Sequence, residues 1–328
     1  MATSNGRMSR IFRIAGSVAI LAVCSTAGFG QAYPDRNIGV ILPFSPGSGA
    51  DFIARVTMPK LSQILKQNIV IENRTGSSGI PGTLAVAKSA PDGYTLLFSA
   101  TQQIITSVMY KELPYNMTTD FEAIARMTYH ALPLAVSATV PVNTFQELVA
   151  YAKANPGKLN YGSTGVGTSM HMMGAYFVHL AGINAAHVPY SKAADAVVGL
   201  GRGDVQFMFY PQVSLVPEIE AGRVKLLATT GAERASWAKN LPAVKELYPE
   251  FVLYSWHGLF APAKTPVSVV ETLSKGMAEV LNSPDVAERF GKAGTSPNHL
   301  GGEELKRFVT SEMDKYTQIM KISGTQGR

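Results

Sequence analysis

The sequence predicts an α/β fold in two units, and three observations carry that reading. Short apolar runs alternate with stretches whose apolar residues recur at helical spacing. The turns between them are rich in Gly and Ser, and the same strand–loop–helix pattern returns in the second half of the chain. Without a 32-residue leader the chain of 328 residues is 296 long, a length suited to two domains of common size.

The first unit opens on Val40-Ile41-Leu42, a run of the kind that forms a buried strand. Pro43 to Gly49 is a loop of turn formers, after which Phe52, Ile53, Val56, Leu61, Ile64 and Leu65 keep helical spacing. The first N–H groups of a helix lack internal partners and carry partial positive charge. Glycine lets a ligand approach such a backbone closely. The loop Phe44 to Asp51 is therefore expected to hold a carboxylate, with a second loop much later in the chain holding the rest of the molecule.

Asn68 to Asn73 and Tyr94 to Ser99 read as further strands, Gly82 to Ser89 as a helix, and Arg74 to Gly79 as another Gly/Ser loop. Strand and helix alternate, which argues for a parallel sheet with helices on its faces and ligand sites beyond the strands' carboxyl ends. The loops after Leu42, Asn73 and Ser99 would share that edge, which brings Gln102 to it. Leu113 to Asp120 reads as irregular and Leu132 to Ala138 as a strand. Thr144 and Glu147 form a capping box for a helix to Ala154.

The opening pattern then recurs. Leu159-Asn160-Tyr161 is a short strand, Gly162 to Thr168 a Gly/Ser/Thr loop, and Ser169 to Ala181 a helix. Ala186–Val188, Val205–Phe209 and Val224–Thr229 read as strands, with helices at Ala193–Leu200 and Val213–Ala221. Trp256 to Pro262 is an extended run leading into helices at Pro266–Leu281 and Leu305–Met320. The chain could cross back between units near Thr230 or near Tyr254. The extended run favours the latter, giving units of 33–133 plus 254–328 and of 134–253.

The amino terminus reads as a targeting segment. Arg7, Arg10 and Arg13 precede the apolar run Ile14 to Val23, and Gly30-Gln31-Ala32 offers a cleavage site before Tyr33. That run is shorter than the roughly 20 residues a membrane span needs. An uncleaved anchor is the alternative. Cys24 after Leu21-Ala22-Val23 raises a lipoprotein site, against which Val23 is bulky. Three of the 29 Lys and Arg lie in the segment, leaving 26 against 23 acidic residues, a net charge of +3, and no cysteine. Thiolate chemistry and disulfides are thereby excluded from the processed chain, and no basic run supports nucleic-acid binding.

Neither Gly-rich loop ends in the Lys-Ser/Thr of a phosphate loop, and Gly165-Val166-Gly167 does not continue as a dinucleotide fingerprint. There is no G-x-S-x-G nucleophile elbow, catalytic triad or metal motif. His171, His179 and His187 are eight apart, but no acid accompanies them, so neither a metal nor another cofactor is expected. His171 either touches a ligand or braces its own loop. Asp51 either braces its loop as a cap or contacts the ligand, where a bare carboxylate would repel an anion. Tyr210 closes a strand at the ligand edge and is expected to face the cleft.

Several segments together resemble the tripartite tricarboxylate transporter substrate-binding receptors, the Bug-type periplasmic proteins. They are Tyr33-Pro34, Val40 to Asp51, Glu72-Asn73-Arg74, Ala90 to Leu96 and Leu113-Pro114-Tyr115. Further on come Gly157 to Tyr161, Gly167 to His171, His187 to Tyr190 and Trp256 to Pro262. The resemblance implies a type II periplasmic binding fold with two α/β lobes around a ligand cleft, and no catalysis. It implies that one ligand carboxylate is gripped by Phe44, Ser48, Gly49, Ala50 and Asp51 from one lobe and Ser163, Thr164, Thr168, Ser169 and His171 from the other. It also implies delivery of the organic acid from the periplasm to membrane permease subunits.

The chain departs from the family pattern in four places. Gly47-Ser48 replaces a double glycine, Tyr210 a common acid, His257 a common aromatic, and Ser191-Lys192 a Lys-Gly. Loss of an acid removes a partner for a ligand ammonium, and a phenol adds a flat wall. An aromatic acid or a dicarboxylate such as terephthalate is therefore expected. A sensing partner for a membrane kinase and an exported enzyme are the rival roles. A monomer is the expectation for assembly.

Overall fold

The computed structural model describes residues 33–235 and 237–325. The leader read at residues 1–32, with Cys24, lies outside the described residues.

The chain runs β1 (Ile38–Leu42), α1 (Gly49–Leu65), β2 (Ile69–Asn73), α2 (Ile80–Ala87), β3 (Thr95–Ala100), α3 (Thr101–Met109) and β4 (Phe121–His130). Then come β5 (Pro133–Ser137), α4 (Phe145–Ala154), β6 (Leu159–Ser163), α5 (Ser169–Ala181), β7 (Ala185–Pro189), α6 (Ala193–Arg202), β8 (Phe207–Phe209), α7 (Gln212–Glu220) and β9 (Val224–Thr229). The last part holds β10 (Ser255–Pro262), α8 (Val267–Leu281), α9 (Pro284–Lys292), β11 (Pro297–Gly301) and α10 (Gly302–Ser323).

Two sheets result, ordered β11-β4-β10-β3-β1-β2 and β7-β6-β8-β5-β9. β1 pairs in parallel with β2 and β3, and β6 with β7 and β8. The sheets are mixed rather than wholly parallel. β10 lies antiparallel between β3 and β4, and β5 antiparallel between β8 and β9. Each sheet thus receives an antiparallel strand from the segment that has just left the other sheet. The carboxyl ends of β1, β3 and β4 and the amino end of β10 consequently meet on one edge.

Four elements were not expected from the sequence: α3, β4, α9 and β11. β4 is the longest strand, and its apolar pattern is broken by Glu122 and Arg126. Both charges are spent on the closing segment. Arg126 lies 4.6 and 4.5 Å over the Tyr129 and Phe308 rings and donates to Asn298, while Glu122 pairs with Lys306 at 2.9 Å.

Helix α10 packs on α3 and β4 of one lobe and on α5 of the other. Tyr316 and Ile319 of α10 share one continuous apolar core with Trp256 of β10 and, in the other lobe, with Phe177 of α5 and Phe207 of β8. A separate core under α1, α8 and α9 closes the opposite face of the first sheet around Phe98, Met277 and Phe290.

Candidate ligand-binding cleft

Two helices that enter the site begin in the same way. In α1 the Ser48 hydroxyl is the cap and accepts from Asp51 N–H at 3.2 Å; in α5 the Thr168 hydroxyl accepts from His171 N–H at 3.2 Å. The third helical residue then reaches back. Asp51 Oδ2 accepts from Gly47 N–H at 3.0 Å, and His171 Nδ1 from Gly167 N–H at 3.3 Å. Both glycines have left-handed backbones, φ +76° and +84°, which the turn requires. Helix α4, with Thr144, Glu147 and Asn143, repeats the arrangement at 3.1 and 2.7 Å, so the expected capping box forms with its return bond one residue earlier.

This motif favours the bracing alternative for Asp51 and His171, and Ser163 shares it. The Asp51, Ser163 and His171 side chains bond to their own loops and are not among the residues that line the cavity. Asp51 also accepts from Arg55 Nε at 2.9 Å and from Asn73 Nδ2 at 3.1 Å, which saturates its carboxylate. Burial disfavours its charge, but the bonds from Arg55, Gly47 and Asn73 prevail and hold its pKa below 3.8. His171 stacks on His187, with ring centroids 4.0 Å apart. Ser163 Oγ contacts His187 Nε2 at 2.7 Å and the Gly165 carbonyl and N–H at 3.0 and 3.1 Å. A hydroxyl tied to its own loop braces that loop. His187 is held neutral down to about 3, by burial and then by His171.

The other expected residues come together. Phe44, Ser48, Gly49, Ala50 and Gln102 from one lobe and Thr164, Thr168, Ser169 and Tyr210 from the other line one cavity of about 650 Å³. That volume is in the range of small-molecule sites. The starts of α1, α2, α3 and α5 all line it, and Pro211, the cap of α7, joins them. Among the described residues, the lining contains no Asp, Glu, Lys or Arg. Helix N-termini, with their partial positive charge, and hydroxyls supply donors suited to a carboxylate. Tyr210 is 3% exposed, and burial pushes its phenol pKa up, so it serves as a neutral wall.

The lobes touch around this cavity. A methyl group built on Gly49 would lie 3.6 Å from Pro211 Cγ, one on Gly167 3.0 Å from Met109 Sδ, and one on Gly294 2.6 Å from Gln212 Oε1.

Sequence reasoning missed Ser77 and Ser78, Thr101, Tyr110, His130, Ser255, His257 and Thr295 in the lining. Ser77 and Ser78 sit in the second Gly/Ser loop, in left-handed conformations with φ +43° and +57°. That loop was recognisable at the ligand edge, whereas the run containing His257 was read only as an extended segment. His130 ends β4, a strand the sequence did not announce.

Two α/β lobes linked by two crossings, with helix starts from both facing one cavity, define a periplasmic solute-binding protein of type II fold. Residues 53–325 match the tripartite tricarboxylate transporter family receptor, TctC, and the chain belongs to that family. The UPF0065 protein in the tcbD-tcbE intergenic region of Pseudomonas sp. (strain P51) is 33% identical over 292 residues, 88% of this chain and 87% of its own. The structure of the periplasmic binding protein BugD is 29% identical with a TM-score of 0.82, covering 90% of this chain and 100% of BugD. That of R. palustris Rpa4515 with adipate is 28% identical with a TM-score of 0.83, covering 89% and 98%.

Proposed function

We propose that this protein captures a small organic carboxylate, an aromatic acid or a dicarboxylate such as terephthalate, and delivers it to the permease subunits of a tripartite tricarboxylate-type transporter. It works in the periplasm as a monomer after loss of residues 1–32. Its lobes are 33–133 plus 254–328 and 134–253. The observation that carries the reading is the convergence of helix starts from both sheets on a cavity whose lining holds no charged side chain.

One carboxylate sits between the two matched helix starts. It takes N–H groups of Gly49 and Ala50 on one side and of Ser169 and Met170 on the other, with the Ser48 and Thr168 hydroxyls beside them. These first-turn amides have no partner inside their helices. Asp51 and His171 act one layer back by fixing the loop backbones. Phe44, Tyr210 and Tyr110 supply flat or apolar walls. The absence of an acid in the lining leaves no partner for an ammonium, which disfavours amino acids. The adipate bound by the R. palustris relative supports a carboxylic acid as ligand. Binding without turnover fits a hydroxyl–imidazole pair, Ser163 and His187, that faces its own loop.

The ligand shifts an open–closed equilibrium by binding the closed form better. A thermal-shift screen of organic acids followed by calorimetric titration tests the reading, because a ligand specific to the folded state raises the melting temperature. Aromatic or aliphatic acids should give saturable stabilisation. Tight binding of an amino acid with no response to any simple carboxylic acid would overturn it.

A further inference from the structure

At the far side of the cavity from β1, two strands on, stands His257. Adjacent strands lie about 4.8 Å apart, which puts β10 roughly 10 Å along the sheet edge from the end of β1. His257 lines the cavity yet is only 7% exposed. Its Nδ1 lies 2.8 Å from the Thr128 hydroxyl. Thr128 is fully buried, and this contact is the hydroxyl's one hydrogen bond among the described residues. A buried hydroxyl with one available acceptor donates to it, because a sealed, unpaired donor is costly. The imidazole proton therefore sits on Nε2. That atom has no hydrogen-bond partner among the described residues and, unlike His130 Nδ1, is not fully buried, in a residue that lines the cavity.

We propose that His257 is a specificity-determining residue whose Nε2–H, fixed by Thr128, donates a hydrogen bond to a second oxygen acceptor at the distal end of the bound acid. This inference rests on the carboxylate reading above and adds what the other end of the ligand must carry. The ring stays neutral while it does so. Burial lowers its pKa, and His130, stacked at 5.7 Å, opposes a second charge. Phe98 from β3, Ser255 from β10 itself and Thr295 beyond α9 face the same region. Among the described residues, the titratable groups in the lining besides the two histidines are the phenols of Tyr110 and Tyr210. A dry, preset neutral donor rejects a ligand lacking the acceptor more strongly than it rewards added apolar bulk.

Calorimetric titrations with two matched pairs test this: terephthalate against benzoate, and adipate against hexanoate. In the wild type the acid with the distal acceptor should bind at least tenfold tighter in one pair. His257→Phe keeps a ring against Phe98 and should abolish that preference while leaving benzoate or hexanoate within about twofold, which also reports an intact fold. His257→Gln, which places an amide N–H near Nε2, should restore most of it. Thr128→Val keeps the ring but frees its tautomer, and should weaken the diacid alone. Affinities should be flat from pH 6 to 8. A preference that survives His257→Phe, equal loss of both acids, or a tenfold strengthening per pH unit toward acid would overturn the neutral-donor assignment while carboxylate binding stands. If none of the four acids binds the wild type, the carboxylate reading fails and the assignment with it.

Discussion

Tyr210 is the residue at which the cavity's charge balance is most open to reversal. It is buried, neutral and part of the lining. Tyr210→Asp would set a carboxylate beside the ligand's own. At about 5 Å and an effective dielectric of 20 the repulsion is about 3 kcal/mol, on the order of a hundredfold in affinity. Titration should show that loss at pH 7 and partial recovery as pH falls and the new acid protonates. Unchanged affinity would mean that position 210 does not face the ligand. Asp51 is the opposite case, a carboxylate saturated by donors. Its lowered pKa means that its contribution is complete above 3.8 and is lost as pH falls through the folded value. Asp51→Asn should therefore be less stable than wild type at pH 7, with the gap narrowing below pH 4. Urea titrations at several pH values measure it.

At the scale of elements, the helix starts do the positioning. Replacing either cap, Ser48→Ala or Thr168→Ala, should cost about 1 kcal/mol of stability. Each should also weaken acid binding if the amides of the loop it orders meet the ligand as proposed. Loss of stability with unchanged affinity would separate the caps from the site. These starts were legible in sequence because α1 and α5 combine a Gly/Ser loop with unbroken helical periodicity, and the family resemblance then pointed to Ser48, Gly49, Ala50, Thr168 and Ser169 within them. Asp51 and His171 were harder to assign. Proximity to a helix start suggests ligand contact, whereas the third helical position turns its side chain back to the amide before the cap. β4 was hidden because Glu122 and Arg126 look like solvent-facing residues until Lys306, Asn298 and Phe308, far along the chain, cover them. α3 was hidden because its cap position is Ala100 rather than Ser, Thr, Asp or Asn. The Gln103 side chain, three residues in, accepts from Ala100 N–H at 3.0 Å instead.

The molecule as a whole places three imidazoles, those of His130, His187 and His257, where burial keeps them neutral. Two stand in or beside the cavity and one beneath the loop of the other lobe. His130 is depressed to about 4 and His187 to about 3, against 6.5 for an ordinary histidine. Between those values the unfolded chain binds protons that the folded chain refuses. Stability is therefore complete above pH 6.5 and declines as pH falls, until the folded histidines themselves titrate. Each contributes at most about 1.4 kcal/mol per pH unit in that window. Since α10 and the shared core tie both lobes together, this loss should appear as one unfolding transition rather than two. Urea midpoints should drop steadily from pH 6.5 to 4.5. His130→Phe should flatten part of that slope while costing little at pH 7.5, because a phenyl ring refills the site and no longer takes up a proton on unfolding. A variant slope equal to that of the wild type would show that His130 already meets solvent protons in the folded protein.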